Sequence, residues 1–248
     1  MIRFSYVFCG VLALALCGVA LESQLPQRIA ARFGWWPEVM GPARYVDEAA
    51  AELQEVYPTR KADIVMLGDS LTAAADWREL LPNWDVVNRG VAGETIREIS
   101  ARVDAVGRLH PRVVFLMAGT NDLMVGQTPN EVAESYRLIL DRLQSTGAKV
   151  VVQPVLHVAK DRNTVGIQRF WYNRRNDAIS DVNARIRAIA EKRGLVFLDL
   201  NETIAPDGVL ADDLTSDGTH LRAPAYLLWA KAINDVLSAP GLLAERRS

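Results

Sequence analysis

Near the C-terminal end of the chain, Asp217-Gly218-Thr219-His220 places a carboxylate three residues before an imidazole. At that spacing the carboxylate can orient the ring and stabilise the imidazolium formed when the ring takes up a proton. The sequence holds 3 histidines, and neither His110, just before Pro111, nor His157 has a carboxylate so placed, which makes His220 the candidate base. A hydroxyl for it to activate stands in Gly68-Asp69-Ser70-Leu71, directly after the apolar run Ala62–Leu67, where Ser70 would project from a strand-to-helix turn. Two more segments offer hydrogen-bond donors. Gly93, in Asn88-Arg89-Gly90-Val91-Ala92-Gly93-Glu94, can leave a backbone N–H uncovered, and Asn121, in Gly119-Thr120-Asn121-Asp122, carries an amide. A base, a hydroxyl and two donors are the parts needed to attack an acyl carbon and hold the oxygen that becomes negative. Asp69 reads as an acceptor for loop backbone rather than as a proton-transfer group.

Each segment taken singly also has a plain structural reading. Serine is a good helix N-cap, a glycine-containing loop can simply cap the next helix, and Thr-Asn-Asp after a strand is ordinary turn chemistry. What distinguishes them is where they fall among the elements. Short apolar runs at Ala62–Leu67, Val86-Val87, Val113–Met117, Lys149–Gln153 and Leu195–Leu198 lack alternation, as expected of strands buried on both faces. Helical periodicity covers Val46–Val56, Thr95–Arg108, Asn130–Ser145, Asn176–Arg193 and Ala223–Leu237, with Gly147 and Gly194 where helix ends favour glycine. Strand and helix in alternation predict an α/β fold, a three-layer doubly wound parallel sheet with right-handed crossovers. Ligands of such sheets bind beyond the carboxyl ends of the strands, and three of the four segments immediately follow a strand.

Together, Gly68-Asp69-Ser70-Leu71, Gly93, Gly119-Thr120-Asn121-Asp122 and Asp217-Gly218-Thr219-His220-Leu221 resemble, in order, the four consensus blocks of the SGNH or GDSL hydrolase superfamily. The resemblance spans roughly Asp63 to Leu237 and implies a flavodoxin-like sheet. It implies Ser70 as nucleophile, Asp217 and His220 as the remainder of a catalytic triad, and an oxyanion hole from the Ser70 and Gly93 N–H groups and the Asn121 amide. It implies a serine esterase or acylhydrolase that needs no cofactor and no metal. Within the superfamily, Asn88–Glu94 and Asp217–Leu221 look most like the compact acetylhydrolases similar to the platelet-activating-factor acetylhydrolase catalytic subunits and related carbohydrate esterases. Relatives include lipase-like enzymes and enzymes of acetyl transfer, so an O-acyltransferase acting on cell-envelope polysaccharide uses the same triad. A non-catalytic binding module on the same fold would have no need of Ser70, Asp217 and His220 together. A nucleotide-binding flavodoxin-like domain would want more glycine after the first strand.

Segments flanking the nucleophile, Thr72–Trp77 and Gly119–Gly126, mix small apolar with polar residues and show no long greasy stretch, so a short acyl group, acetyl, is expected. The segment His157–Arg175 reads as long and irregular, with aromatic and basic residues that either form a substrate rim through His157, Trp171 and Arg174 or pack the loop onto the domain. The substrate expected is a small-molecule or carbohydrate ester. With 28 basic against 30 acidic residues and no long run of either sign, the chain lacks the electrostatic footprint of a nucleic-acid binder.

Residues 1–21 stand apart: Arg3 precedes an uncharged apolar run, Phe4–Leu21, which reads as an export segment, either a cleaved signal peptide or a retained membrane anchor. Both of the chain's 2 cysteines, Cys9 and Cys17, lie inside it, leaving the folded part no thiol for a disulfide or for catalysis. A connecting segment, 22–43, leads to the catalytic domain at 44–240 and a short tail, 241–248. The catalytic domain is therefore expected in the periplasm or secreted, and a reporter fused after Ser248 should be active outside the cytoplasm. A reporter active inside would contradict both the leader and the anchor.

Overall fold

The computed structural model describes residues 46–57, 61–160, 167–239 and 242, with 167–174 described by backbone alone, all within the unit Tyr45–Ser248. The apolar run Phe4–Leu21 and the connecting segment lie outside the described residues. Among the described residues, no helix is long and apolar enough to cross a membrane.

Five parallel strands, β1 (Ile64–Gly68), β2 (Val86–Gly90), β3 (Val113–Met117), β4 (Lys149–Val152) and β5 (Val196–Phe197), form a sheet in the order β2-β1-β3-β4-β5. Every residue of β1 and β3 is buried, which is why their sequences are continuously apolar. Alternate side chains then feed two separate cores. Val65, Leu67, Val114, Leu116, Val150 and Val152 pack against α4 (Ile96–Ala101), α5 (Val103–Gly107), α7 (Pro129–Ser145) and α8 (Ile167–Lys192). Ile64, Met66, Phe115, Met117 and Val151 face the other way, toward Trp77 of α3 (Trp77–Leu80), Ile204 of α9 (Asn201–Ile204) and α10 (Ala223–Ser238). The result is the three-layer arrangement expected of alternating strands and helices.

Strand register sets the crevice. Gly68 lies opposite both Gly90 and Met117, so β1, β2 and β3 end level, and the chain leaves each of them at one edge. There the end of β2 runs close against α2 (Ser70–Ala73): a Cβ on Gly90 would stand 2.2 Å from the Ala73 nitrogen, so only glycine fits. A single turn such as α2 has no stability of its own. Its carbonyls are instead captured from outside. Asn88 Nδ2 donates to the oxygens of Thr72, Ala73 and Ala75, at 3.1, 3.2 and 2.9 Å, while its Oδ1 accepts from the Gly90 N–H at 2.8 Å. Trp77 Nε1 donates to Thr72 O at 2.8 Å, and the Tyr226 hydroxyl of α10 donates to Leu71 O at 2.9 Å.

On the other side of β1, the residues after β3 lead into α6 (Thr120–Met124) and are held by Tyr136 of α7. The Tyr136 hydroxyl is fully buried, donates to Ala118 O at 2.7 Å and accepts from Ala118 N at 3.2 Å. One side chain thus satisfies both polar groups of a residue that has left the sheet.

Two helical expectations are corrected. The single helix read over Thr95–Arg108 divides into α4 and α5 at Arg102, which leaves helical geometry at φ −102° and ψ 14° as its side chain turns inward. The irregular segment read over His157–Arg175 is helical from Ile167 onward, because α8 begins well before its apolar periodicity becomes visible at Ile179 and Val182. The first helix, α1 (Glu48–Val56), falls where it was expected.

Tyr136→Phe removes the hydroxyl without leaving a cavity, so it isolates the two bonds to Ala118. Urea unfolding of the variant should show a loss of about 1–3 kcal/mol, the usual penalty for stranding a buried polar group. Unchanged stability would mean that the hydroxyl does not hold the β3 end.

Candidate active site

Asp69, not Ser70, caps α2. Its Oδ1 accepts from the Leu71 N–H at 3.0 Å, which makes Ser70 the first residue of the helix and frees its hydroxyl from the capping role that serine often takes. Ser70 Oγ lies 3.1 Å from His220 Nε2. The other ring nitrogen, His220 Nδ1, is 2.7 Å from Asp217 Oδ2. Since an ionised carboxylate only accepts, Nδ1 carries the proton and Nε2 is left as acceptor for the serine O–H, the tautomer a general base needs.

The loop carrying this pair is held locally. Asp217 Oδ1 accepts from the N–H groups of Thr219 and His220 at 2.9 and 2.7 Å, and the His220 carbonyl accepts from Ser216 N at 2.9 Å and Thr215 Oγ1 at 2.7 Å. An antiparallel bridge between Thr215 and Leu221 closes the loop's base, and Gly218 O accepts from Ala159 N at 2.8 Å. Burial disfavours the Asp217 carboxylate, yet the hydrogen bonds from the His220 ring, the His220 N–H and the Thr219 N–H outweigh it and hold its pKa below the ordinary value. The side chains of His220 and Asp217 remain 47% and 54% exposed, so the base is reachable from solvent.

The candidate donors come from the loop after β2 and from α6. Gly93 is buried at φ +82°, a conformation that favours glycine. Asn121, also buried, gives one amide hydrogen to Glu94 O at 2.8 Å, and a primary amide has a second one to offer. Asp122 ties α6 to the start of α4, its carboxylate oxygens accepting from Ile96 N at 3.3 and 3.1 Å. Val91 N donates to Gly68 O at 3.0 Å, which ties the Gly93 loop to the residue just before Asp69. Ser70, Asp217 and His220 are therefore joined by direct bonds, and Gly93 and Asn121 through Glu94.

A family model described as the GDSL-like lipase/acylhydrolase family matches residues 66–228, which carry Ser70, Gly93, Asn121, Asp217 and His220. The chain belongs to this family. The thioesterase 1/protease 1/lysophospholipase L1 of Escherichia coli K12 is 31% identical over 104 residues, 37% of this chain and 50% of that protein. The chain thus spans about half the length of the curated relatives it matches. In fold, the GDSL chain is similar to a GDSL-like lipase from Bacteroides thetaiotaomicron, with a TM-score of 0.63 and 20% identity over 77% of this chain and 96% of that one. It is also similar to the acetyl xylan esterase AlAXEase, with a TM-score of 0.55 and 20% identity over 70% of this chain and 98% of that one.

Of the three residues read as a substrate rim, His157 is buried, with its Nε2 3.0 Å from Ser180 Oγ on α8. That hydroxyl already donates to Asn176 O, so His157 Nε2 is the donor. Burial pushes its pKa below the ordinary imidazole value. Trp171 and Arg174 lie on α8, and their side chains are outside the described ones. Tyr136 and Tyr226 have no signal in the sequence, because a lone polar residue in a helical stretch gives no local sign of what its far end reaches, and Asn88 shows there only as the start of the Asn88–Glu94 run.

In this GDSL site, burial raises the Asp69 pKa to about 7, with the nearby Asp122 carboxylate adding and the Leu71 N–H opposing. Its Oδ2 is buried without a hydrogen-bond partner. An unfolded aspartate titrates near 3.8, so between about 4 and 7 the folded chain holds a proton the unfolded chain has lost, and this group's contribution to stability falls as pH rises through that window. Asp69→Asn should flatten the decline, measured as unfolding free energy against pH. A variant with the parent's slope would place the titration elsewhere.

Proposed function

We propose that the chain is a serine ester hydrolase acting on short acyl, principally acetyl, esters. The observation that carries this reading is the continuous relay from Ser70 Oγ through His220 to Asp217 at 3.1 and 2.7 Å, set at the N-terminus of α2. In the first half-reaction His220 Nε2 takes the Ser70 proton as Oγ bonds to the ester carbonyl carbon. The carbonyl oxygen becomes negative and is held by the Ser70 and Gly93 N–H groups and the Asn121 amide. Collapse expels the alcohol, which leaves with the proton from His220. Water then repeats the sequence on the acyl-serine and releases the carboxylic acid.

Acyl length is argued from what flanks the nucleophile. In α2, Leu71 and Thr72 are buried in the core, and in α6 the exposed large apolar residue is Met124. Neither segment presents a wide apolar surface for a long chain, which supports a short acyl group. The acetyl xylan esterase among the similar folds is compatible with a carbohydrate-borne acetyl, and the open exposure of His220 suits an acetyl on a bulky alcohol.

Hydrolysis of nitrophenyl esters from acetate to laurate tests both parts. Ser70→Ala should reduce the rate to background with the fold intact, and Asn121→Ala should lower kcat by roughly 10²–10³-fold, the usual loss for one oxyanion donor. Rates should fall from acetate toward laurate. Activity retained in Ser70→Ala would remove the mechanism, whereas a preference for laurate would remove only the acetyl assignment.

A further inference from the structure

Glu94 and Arg102 form an ion pair with side chains only 4% and 6% exposed. Arg102 Nε donates to both Glu94 carboxylate oxygens at 3.1 and 2.8 Å, and Nη2 stands 2.7 Å from Oε2. The guanidinium does not stop there. Its Nη1 donates to Gln54 Oε1 of α1 at 3.0 Å, and its Nη2 to the Gly68 carbonyl, the last of β1, at 3.3 Å. Gln54 extends the network by donating from Nε2 to the Gly90 carbonyl, the last of β2, at 3.0 Å.

Stability alone is a poor reason for this arrangement. Withdrawing two charges from water costs several kcal/mol per ion, and apolar residues of the same volume commonly fill such a space with no loss. What apolar residues cannot do is fix directions. The planar fork of Arg102 meets an acceptor on α1, one at the end of β1 and one beside Gly93, and the break between α4 and α5 lets it reach them. Two of the three, the end of β1 and the residue after Gly93, adjoin the donors of the proposed oxyanion hole. Gly68 lies two residues before Ser70, Gly93 immediately precedes Glu94, and the Glu94 carbonyl accepts the Asn121 amide at 2.8 Å.

Building on the esterase reading, we propose that the buried Glu94–Arg102 pair is the positioning device of the oxyanion hole, setting the Ser70, Gly93 and Asn121 donors relative to one another. Neither residue is a catalytic residue; both act through the donors. Displacing such donors by about 1 Å can cost on the order of 10²-fold in rate, because they act only at hydrogen-bonding distance from the oxygen that becomes negative.

The test is a double-mutant cycle on nitrophenyl acetate. Arg102→Lys keeps a positive charge against Glu94 but loses the fork that also reaches Gln54 and Gly68, so kcat should fall by roughly 10–100-fold with KM little changed. In the Asn121→Ala background the same substitution should cost only a few-fold, since much of the hole it would misplace is already gone. Equal losses in both backgrounds, or unchanged kcat in folded Arg102→Lys, would overturn the proposal. If Arg102→Lys does not fold, Gln54→Leu, which keeps the ion pair and releases its tie to α1, enters the same cycle with the same criteria. A wild-type chain without esterase activity would remove the functional reading but still leave a decision here. The Asn121 side-chain amide signals in a ¹⁵N–¹H spectrum should shift or broaden in the Arg102 or Gln54 variant, and signals identical to the parent's would overturn the positioning role.

Discussion

The hydrogen bond between Ser70 Oγ and His220 Nε2 joins groups 150 residues apart, and it is the contact that the rest of the domain has to preserve. Both its ends are surface-facing, and neither could be held by the bond itself, since an exposed hydrogen bond contributes little net stability. Position therefore has to be supplied from behind on each side. On the serine side it comes from β1, buried on both faces and level with its neighbours, so that the direction in which the chain leaves the sheet is fixed by the core. On the histidine side it comes from the loop between Thr215 and Leu221, closed by its own bridge and seated by Gly218 on the Ala159 N–H.

Backbone satisfaction links these supports. A serine on a single helical turn leaves carbonyls that the turn cannot use, and here Asn88, Trp77 and Tyr226 take them up from β2, α3 and α10. Trp77 also joins α3 to α10, meeting Trp229 edge to face with ring centroids 4.8 Å apart in the core beneath the turn. Capping and core packing are thus one arrangement, and shifts of α10 would be transmitted to Ser70 through the Tyr226 hydroxyl.

Most of this was legible in the sequence where a residue's role is written in its immediate neighbours. Continuous apolar runs identify β1 and β3 because burial on both faces leaves no polar positions. Asp217 and His220 identify themselves because the carboxylate and ring belong to one short loop. Where the deciding partner is remote, the pattern is silent. Arg102 resembles any surface arginine in an amphipathic helix, and only the fold shows that it turns inward and divides α4 from α5. The early turns of α8 have no apolar periodicity, so a helix there looked like a loop. His157 opens a segment read as a rim from its aromatic and basic residues, and only the fold shows that its ring meets Ser180.

Asp69 shows how a local role and an electrostatic one can share a side chain. As N-cap it needs only Oδ1, which accepts the Leu71 N–H whether or not the carboxyl is ionised. A fixed negative charge one residue from Ser70 would oppose the oxyanion of the proposed mechanism. Burial answers this, because it pushes the Asp69 pKa up to about 7 and leaves a substantial neutral fraction at neutral pH. The Asp122 carboxylate reinforces the shift while itself tying α4 to α6, so the acid that fastens the donor loops also favours a neutral Asp69. A positive charge on His220 acts in the opposite sense, favouring ionised Asp69 when the ring holds the serine's proton. The charge state beside the nucleophile is therefore coupled to the proton on the base, and a side chain whose hydrogen bond is purely structural still responds to the chemistry next to it.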